Sequence, residues 1–162
     1  MTFSSADLVA RYHTSYRDQA RQYGYEAAPE QLGWACPIYV AETDERARME
    51  AGRAVETLFN DFLRQSFEML MPPGYTSMRS MKNFIAMRRG LGGGRATAEG
   101  LIESGTALIG SPETVLAGIE RMRERTGFGI LMALLQFGVL SDDLTWRNMN
   151  LFAAEVMPHL RS

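Results

Sequence analysis

The sequence predicts an α/β fold with about three parallel strands. Apolar runs at residues 32–41, 106–109 and 128–137 are rich in strand-forming residues. Segments with one apolar helical face alternate with these runs, which is typical of parallel strands joined by right-handed crossovers. Three strands are too few to close a (β/α) barrel, which needs about eight. The pattern therefore predicts either a small open sheet or part of a barrel.

Four helices are predicted around these strands. The first begins at Ser4 or Ser5 and ends at Gly24. The residues expected on its buried face are Val9, Tyr12, Tyr16, Ala20 and Tyr23. The second begins at Thr43 and Asp44. The residues expected on its buried face are Ala47, Ala51, Val55, Leu58 and Phe62.

The third helix follows the strand at 106–109 almost directly. Ser111 suits its N-cap, and Pro112 suits its first helical position, where a missing N–H costs nothing. Gly127 is expected to end this helix. The residues predicted on its buried face are Val115, Ile119 and Met122. The fourth helix begins near residues 141–143 and is expected to pack against the sheet through its apolar side.

Proline, cysteine and histidine residues add further expectations. Pro37 has no N–H to donate to a ladder and so predicts an edge position or a bulge for the first strand. Cys36 is the single cysteine, which excludes an internal disulfide, fits a reducing compartment and predicts a small buried hydrophobe. His13 and His159 are expected at the surface, because neither has neighbours spaced as metal ligands. No metal site is predicted.

The composition is that of one globular domain over residues 1–162, with 46% apolar and 22% charged residues. The net charge of −2 and the scattered Lys and Arg residues argue against a nucleic-acid partner. No run reaches the roughly 18 apolar residues of a membrane helix, and the first residues do not have the pattern of a secretory signal. We therefore expect a cytoplasmic protein with no membrane partner.

Residues 71–105 are predicted to form a variable insert with a weak pattern. A short helix is expected over residues 77–87, and the glycines at 92–94 favour a connection rather than an element. The methionines in and beside this stretch are Met69, Met71, Met78, Met81 and Met87. Such residues suit either a soft lid over a pocket or filler in loose packing.

Three segments together resemble the luciferase-like flavin-dependent monooxygenases. They are YVAETD at residues 39–44, GSPETV at 110–115 and LFAAEVMP at 151–158, in this order and spacing. The resemblance implies a TIM barrel that uses reduced flavin and oxygen to oxidise a small organic substrate. It also implies that this chain corresponds to the C-terminal part of such a barrel, roughly its last three strands. Most contacts to the flavin phosphate and ring would then come from the N-terminal half.

The resemblance implies FMN or a deazaflavin as cofactor, and it places candidate contacts in loops that follow strands. Gly110 and Ser111 offer backbone amides at a helix N-terminus, where an anion can bind; an ordinary helix cap explains the same residues. Gln136 can offer an amide and Phe137 can pack on a flavin or substrate; core and edge packing is the alternative. The sequence assigns no catalytic residue.

Several functions fit these observations. The chain is a flavin-dependent monooxygenase component that needs a partner for activity, or a non-catalytic oligomerising remnant of such an enzyme. An unrelated small α/β binding module is a third interpretation. A three-stranded segment has two open edges and an apolar inner face, so a homo-oligomer, most simply a twofold dimer, is expected. A second polypeptide that supplies the N-terminal barrel half is the other partner considered.

Overall fold

A computed structural model describes residues 3–63, 69, 74, 76–82 and 95–160 of the chain. The helices and strands among these residues are, in order, α1 (Ala6–Gln22), β1 (Gly33–Val40), α2 (Asp44–Thr57), α3 (Ala98–Glu103), β2 (Leu108–Gly110), α4 (Pro112–Thr126), β3 (Ile130–Leu134) and α5 (Asp142–Leu151). π-Helices continue α2 (Leu58–Phe62) and α5 (Phe152–Val156), and 3₁₀ turns cover Pro29–Gln31 and Met157–Leu160. The predicted α/β class is confirmed.

Part of the predicted insert lies outside the described residues. Residues 78–82 are helical, at the start of the helix expected over 77–87, whereas positions 83–94, with the glycines at 92–94, are not described. Three of the five methionines, Met69, Met78 and Met81, fall within the described part. Across that part, none of the helices has the length and apolar character needed to cross a membrane.

The three strands form one parallel sheet in the order β2-β1-β3. Residues 33–37 of β1 pair with 130–134 of β3, and residues 38–40 pair with 108–110 of β2. Each neighbour therefore covers a different half of the central strand. Three parallel strands with flanking helices do not close on themselves, which is consistent with the predicted partial barrel.

Pro37 lies within the central strand, so the predicted edge position is wrong. The Val40 N–H donates to Asn148 on the β3 side, whereas the Ala41 N–H donates to the Gly110 carbonyl on the β2 side. Because successive peptide groups of a strand point to alternate sides, the Pro37 nitrogen points towards β2. Pairing with β2 begins only at Ile38. The missing N–H therefore faces a part of that edge where no β2 ladder has formed, and the strand tolerates it.

β1 is buried on both faces, as predicted for a central parallel strand. One face joins a core with α2 and α3, whose fully buried members include Tyr39, Ala51, Val55 and Ala107. The opposite face joins a core with α1, α4 and the second π-helix, whose members include Val9, Trp34, Ile119 and Val156. Cys36 belongs to this second core, and burial raises the pKa of its thiol to about 12. The thiol stays protonated and packs as a small hydrophobe, as predicted.

Two predicted helix faces differ in the structure. On α1 the buried residues are Val9, His13 and Ala20, and the tyrosines lie beside this line and are exposed. The expected surface position of His13 is therefore wrong. α1 packs against α4 and β1 through the row of residues that contains His13, and the adjacent row of tyrosines faces solvent. Phe62 is 60% exposed although burial was expected. The π-helix at Leu58–Phe62 has more residues per turn than an α-helix, so Phe62 turns away from the buried stripe.

β3 is shorter and more exposed than the predicted run at 128–137. Ile130 is 44% exposed and Met132 46% exposed. In the part of the chain that the structure describes, β3 pairs only with β1, so it forms one edge of the sheet. Large apolar side chains at a sheet edge are a typical feature of a surface that another chain or segment covers.

Candidate functional site

The carboxyl ends of the three strands lie at one end of the sheet. β1 leads through residues 41–43 into α2, β2 leads through Ser111 into α4, and β3 leads through residues 135–141 into α5. Both open α/β sheets and barrels bind ligands at this end. Two of the segments that resemble the monooxygenase family, 39–44 and 110–115, are located here.

Ser111 caps α4, and a carboxylate of the same chain occupies the N-terminus of this helix. The Ser111 hydroxyl accepts the Thr114 N–H at 3.3 Å. The Ser111 N–H donates to Asp44 Oδ1 at 2.7 Å, and the Thr114 hydroxyl donates to Asp44 Oδ2 at 3.0 Å. The bond from the Ser111 backbone is the main cause that lowers the pKa of Asp44. The cap is thus confirmed, and the best-placed donors for an external anion already bind Asp44.

Gly110 is required by this packing. A Cβ atom at Gly110 would lie 2.8 Å from Asp44 Oδ1 and 2.8 Å from Thr114 Cγ2. Such distances are shorter than van der Waals contact, so a larger residue would push Asp44 away from α4. Gly110 and Ser111 therefore form one unit with Asp44 and Thr114.

Gln136 and Phe137 lie after β3, on the other side of β1 from Gly110 and Ser111. Phe137 is buried in the core formed with α2 and α3, whereas Gln136 is exposed. The loop folds onto α2 at Gly138, whose φ is +58° and whose Cβ position would be 2.0 Å from the Ala54 carbonyl oxygen. The structure thus pairs Gly110 with Ser111 and keeps both apart from Gln136 and Phe137.

A charged cluster that the sequence did not predict lies beside the end of β1. Glu50 has a side chain that is only 11% exposed. Its Oε1 accepts Arg46 Nε at 2.9 Å and Arg147 Nη2 at 3.1 Å, and its Oε2 accepts the Tyr39 hydroxyl at 2.8 Å. Burial opposes ionisation of Glu50, but these donors outweigh it and lower its pKa. Burial and the bond to Glu50 raise the pKa of Tyr39.

Asn148 completes the hydrogen bonding of β1 where β3 ends. Its Oδ1 accepts the Val40 N–H, and its Nδ2 donates to the carbonyls of Ile38 and Leu135, all at 2.8 Å. The side chain is fully buried. It therefore takes the place of a neighbouring strand and fixes α5 against the carboxyl end of the sheet.

One cavity lies at the carboxyl end of β1, and another lies beside Trp34. The smaller, about 340 Å³, lies at the carboxyl end of β1, between residues 39–42 and the end of α5. The larger, about 640 Å³, lies between the start of α1, the end of α3 and α4, with Trp34 in its wall. The candidate contacts Gly110, Ser111, Gln136 and Phe137 are not among the residues that line this larger cavity. No group of three or more His, Cys, Asp or Glu residues in the described ranges is arranged to hold a metal ion.

Comparison with known proteins finds similarity to solved structures. No family model and no curated protein matches the sequence. The monooxygenase RslO1 from Streptomyces bottropensis aligns with 95% of this chain, with 22% identity and a TM-score of 0.62. The aligned part is 38% of the RslO1 chain. The second structure is the oxygenating constituent of 3,6-diketocamphane monooxygenase from Pseudomonas putida, a type II Baeyer–Villiger monooxygenase in complex with FMN. It aligns with 96% of this chain and with 40% of its own chain, at 21% identity and a TM-score of 0.64.

These matches identify the fold. The chain has the fold of part of these two monooxygenase chains. It spans about two fifths of their length, and the match extends over almost all of its own residues. The three-stranded parallel sheet and its helices are the shared portion.

Proposed function

We propose that this chain is the C-terminal part of a luciferase-like, flavin-dependent monooxygenase, which binds FMN or a deazaflavin once residues outside this sequence complete the barrel. The observation that carries the proposal is the fold match to 38–40% of two monooxygenase chains, one of them in complex with FMN. The cofactor supplies the oxygen chemistry, and the protein orients and shields it. The substrate is a small organic molecule.

Among the proposed flavin contacts, Gln136 can reach a ligand without a change in the surrounding structure. Its side chain is exposed at the carboxyl end of the sheet. A contact at Gly110 and Ser111 requires the phosphate to displace Asp44, because that carboxylate holds the Ser111 N–H. A contact at Phe137 requires the ring to leave the core with α2. The remaining ring and phosphate contacts belong to the rest of the barrel.

A partner is proposed at the β3 edge, where Ile130 and Met132 are exposed. A twofold homodimer covers these side chains, but a twofold axis between two β3 edges pairs them antiparallel. Extension of a barrel needs a parallel strand, so only a different segment rebuilds it. In the purified chain, a homodimer through β3 covers this edge while that segment is absent. A homodimer that persists when the second polypeptide is present would favour the second candidate function, a non-catalytic oligomerising domain. We place the protein in the cytoplasm, where its free, buried Cys36 stays reduced.

Flavin titration tests the proposed function. Purified chain is titrated with oxidised and reduced FMN, alone and after co-expression with a polypeptide that supplies the N-terminal barrel half. The isolated chain is expected to show no low-micromolar binding, and the co-purified complex is expected to bind FMN and to consume oxygen with reduced flavin. Tight binding by the isolated chain would contradict the need for a partner. A stable complex that binds no flavin would contradict the monooxygenase assignment.

A further inference from the structure

The smaller cavity lies where the strand order of the sheet reverses. The strand after β1 in sequence, β2, lies on one side of it, and β3 lies on the other. α2 packs into one core. α5 begins beside that core at Leu144, and its last residue, Leu151, packs against the opposite core. Open α/β sheets bind ligands in the crevice that such a reversal leaves outside the carboxyl ends of the strands.

The cavity has the lining of a small-molecule site. Ala41, Leu151 and Ala154 form apolar wall, and Glu42, Arg147 and Asn150 supply polar groups. Its volume of about 340 Å³ suits a small ligand, and a mostly apolar lining with a few polar groups is typical of such sites. Ala154 belongs to the second π-helix, an irregularity that is frequent at functional sites.

Glu42 occupies a position between two guanidinium groups. Its Oε2 is 3.1 Å from Arg46 Nη1 and 3.8 Å from Arg147 Nη2. The Glu42 side chain is 57% exposed, whereas the side chain of Glu50, the other partner of both arginines, is only 11% exposed. Exposed ion pairs are weak. Glu42 can therefore swing into solvent while Glu50 keeps both arginines in place.

The arginine at the cavity is held by fixed neighbours. Arg147 donates to Glu50, and the adjacent Asn148 is bound to β1 and to Leu135 by three hydrogen bonds. Arginine with a free edge of its guanidinium binds a carboxylate in a planar, directional geometry. When the Glu42 carboxylate moves away, the Arg46 and Arg147 side chains stay in position to bind a carboxylate from a ligand.

We propose that this crevice binds a small aliphatic carboxylic acid, whose carboxylate replaces that of Glu42 between Arg46 and Arg147 and whose chain packs on Leu151 and Ala154. A carboxylate is the group that occupies the position now, and the apolar wall next to it fits a short hydrocarbon chain. Glu42 then acts as an internal competitor that the ligand must displace. The site uses only residues of this chain and does not depend on flavin.

Butyrate binding to the 162-residue protein and its Glu42→Gln variant tests the site by calorimetry. Loss of the competing charge is expected to tighten butyrate binding about tenfold. Glu45→Gln is the matched control, because Glu45, three positions further along in the first turn of α2, is exposed and lies outside the cavity; this variant should bind butyrate as the unmodified protein does. Equal affinities for the two variants would overturn the proposal.

Two further arms separate a carboxylic-acid site from general anion binding. Adding Arg147→Gln to the Glu42→Gln protein is expected to abolish butyrate binding, and Arg147→Lys, which keeps the charge, should weaken it if the first variant fails to fold. Inorganic phosphate is expected to bind the Glu42→Gln protein less tightly than butyrate, because it cannot use the apolar wall. Unchanged binding in both Arg147 variants, or phosphate binding as tight as butyrate binding, would contradict the proposal.

Discussion

At the scale of single residues, Ser111 and Ser5 offer a comparison between two helix caps. The Ser111 hydroxyl accepts the Thr114 N–H, whereas Ser5, at the start of α1, makes no side-chain cap bond in the described structure. Ser111→Ala is therefore expected to lower the free energy of unfolding by about 1 kcal/mol, and Ser5→Ala by much less. Urea denaturation of both variants measures this difference. Equal losses would show that the cap geometry of α4 has no energetic role.

His13 is expected to make stability depend on pH. Burial lowers its pKa from the ordinary value of 6.5, against a hydrogen bond with the Gly33 backbone that raises it, and the Nδ1 atom has no partner among the described residues. The unfolded chain therefore binds the proton more readily than the folded one. The contribution of His13 is complete above about pH 6.5 and is lost as the pH falls through the lower folded pKa.

The pH dependence is checked with two histidine variants. His13→Gln removes the titrating group, so its stability should change less between pH 7 and pH 5 than that of the unmodified protein. His159→Gln, at an exposed position near the C-terminus, should keep the slope of the unmodified protein. Thermal unfolding across this pH range gives both slopes. An identical slope for His13→Gln would show that the buried His13 does not cause the pH dependence of stability.

At the scale of secondary-structure elements, Asn148 connects α5 to β1. Asn148→Ala leaves the Val40 N–H and the Ile38 carbonyl buried without their partner. Its expected cost is roughly 2–6 kcal/mol of unfolding free energy, since each of these two unsatisfied buried groups costs about 1–3 kcal/mol. Asn150→Ala is the control two residues away, at an exposed position, and should change stability by less than about 0.5 kcal/mol. A small loss for Asn148→Ala would mean that water replaces the amide.

The elements themselves were largely predictable, because their signals are local. Thr43, Ser111 and Ser141 accept the N–H groups that begin α2, α4 and α5, and Gly127 ends α4 in the left-handed conformation. Phe62 was not predictable from the 3.6-residue pattern, because a π-helix changes the number of residues per turn. The buried face of α1 could not be identified from the sequence, because the row with His13 and the adjacent row of tyrosines both have helical spacing.

Contacts between parts of the chain that are distant in sequence could not be predicted from local sequence patterns. The strand order β2-β1-β3 depends on pairing between segments about 70 to 100 residues apart. Glu50 and Arg147 are 97 positions apart, and Asn148 reaches Val40 across 108. Of the predicted site residues, Ser111 was identifiable as a cap from its neighbour Pro112. Burial of Phe137 follows from the close approach of the loop to α2, which has no local signal.

At the scale of the whole molecule, the main feature is a sheet that is open along β3. Ile130 and Met132 are exposed there, and the related structures contain more than half of their length beyond the shared portion. An open edge with large apolar side chains favours association with another chain. We expect the purified protein to associate through this edge, and substitution of both side chains by lysine to weaken that association.

Sedimentation equilibrium of dilute protein tests this claim most directly. The unmodified chain is expected to sediment as a dimer, at twice its 18.1 kDa mass. The Ile130→Lys, Met132→Lys double variant is expected to shift towards the monomer, and Met49→Lys, at an exposed position on α2, should leave the dimer intact. A stable, monodisperse monomer of 18.1 kDa for the unmodified chain would contradict the account, because the sheet would then need no cover from a second molecule.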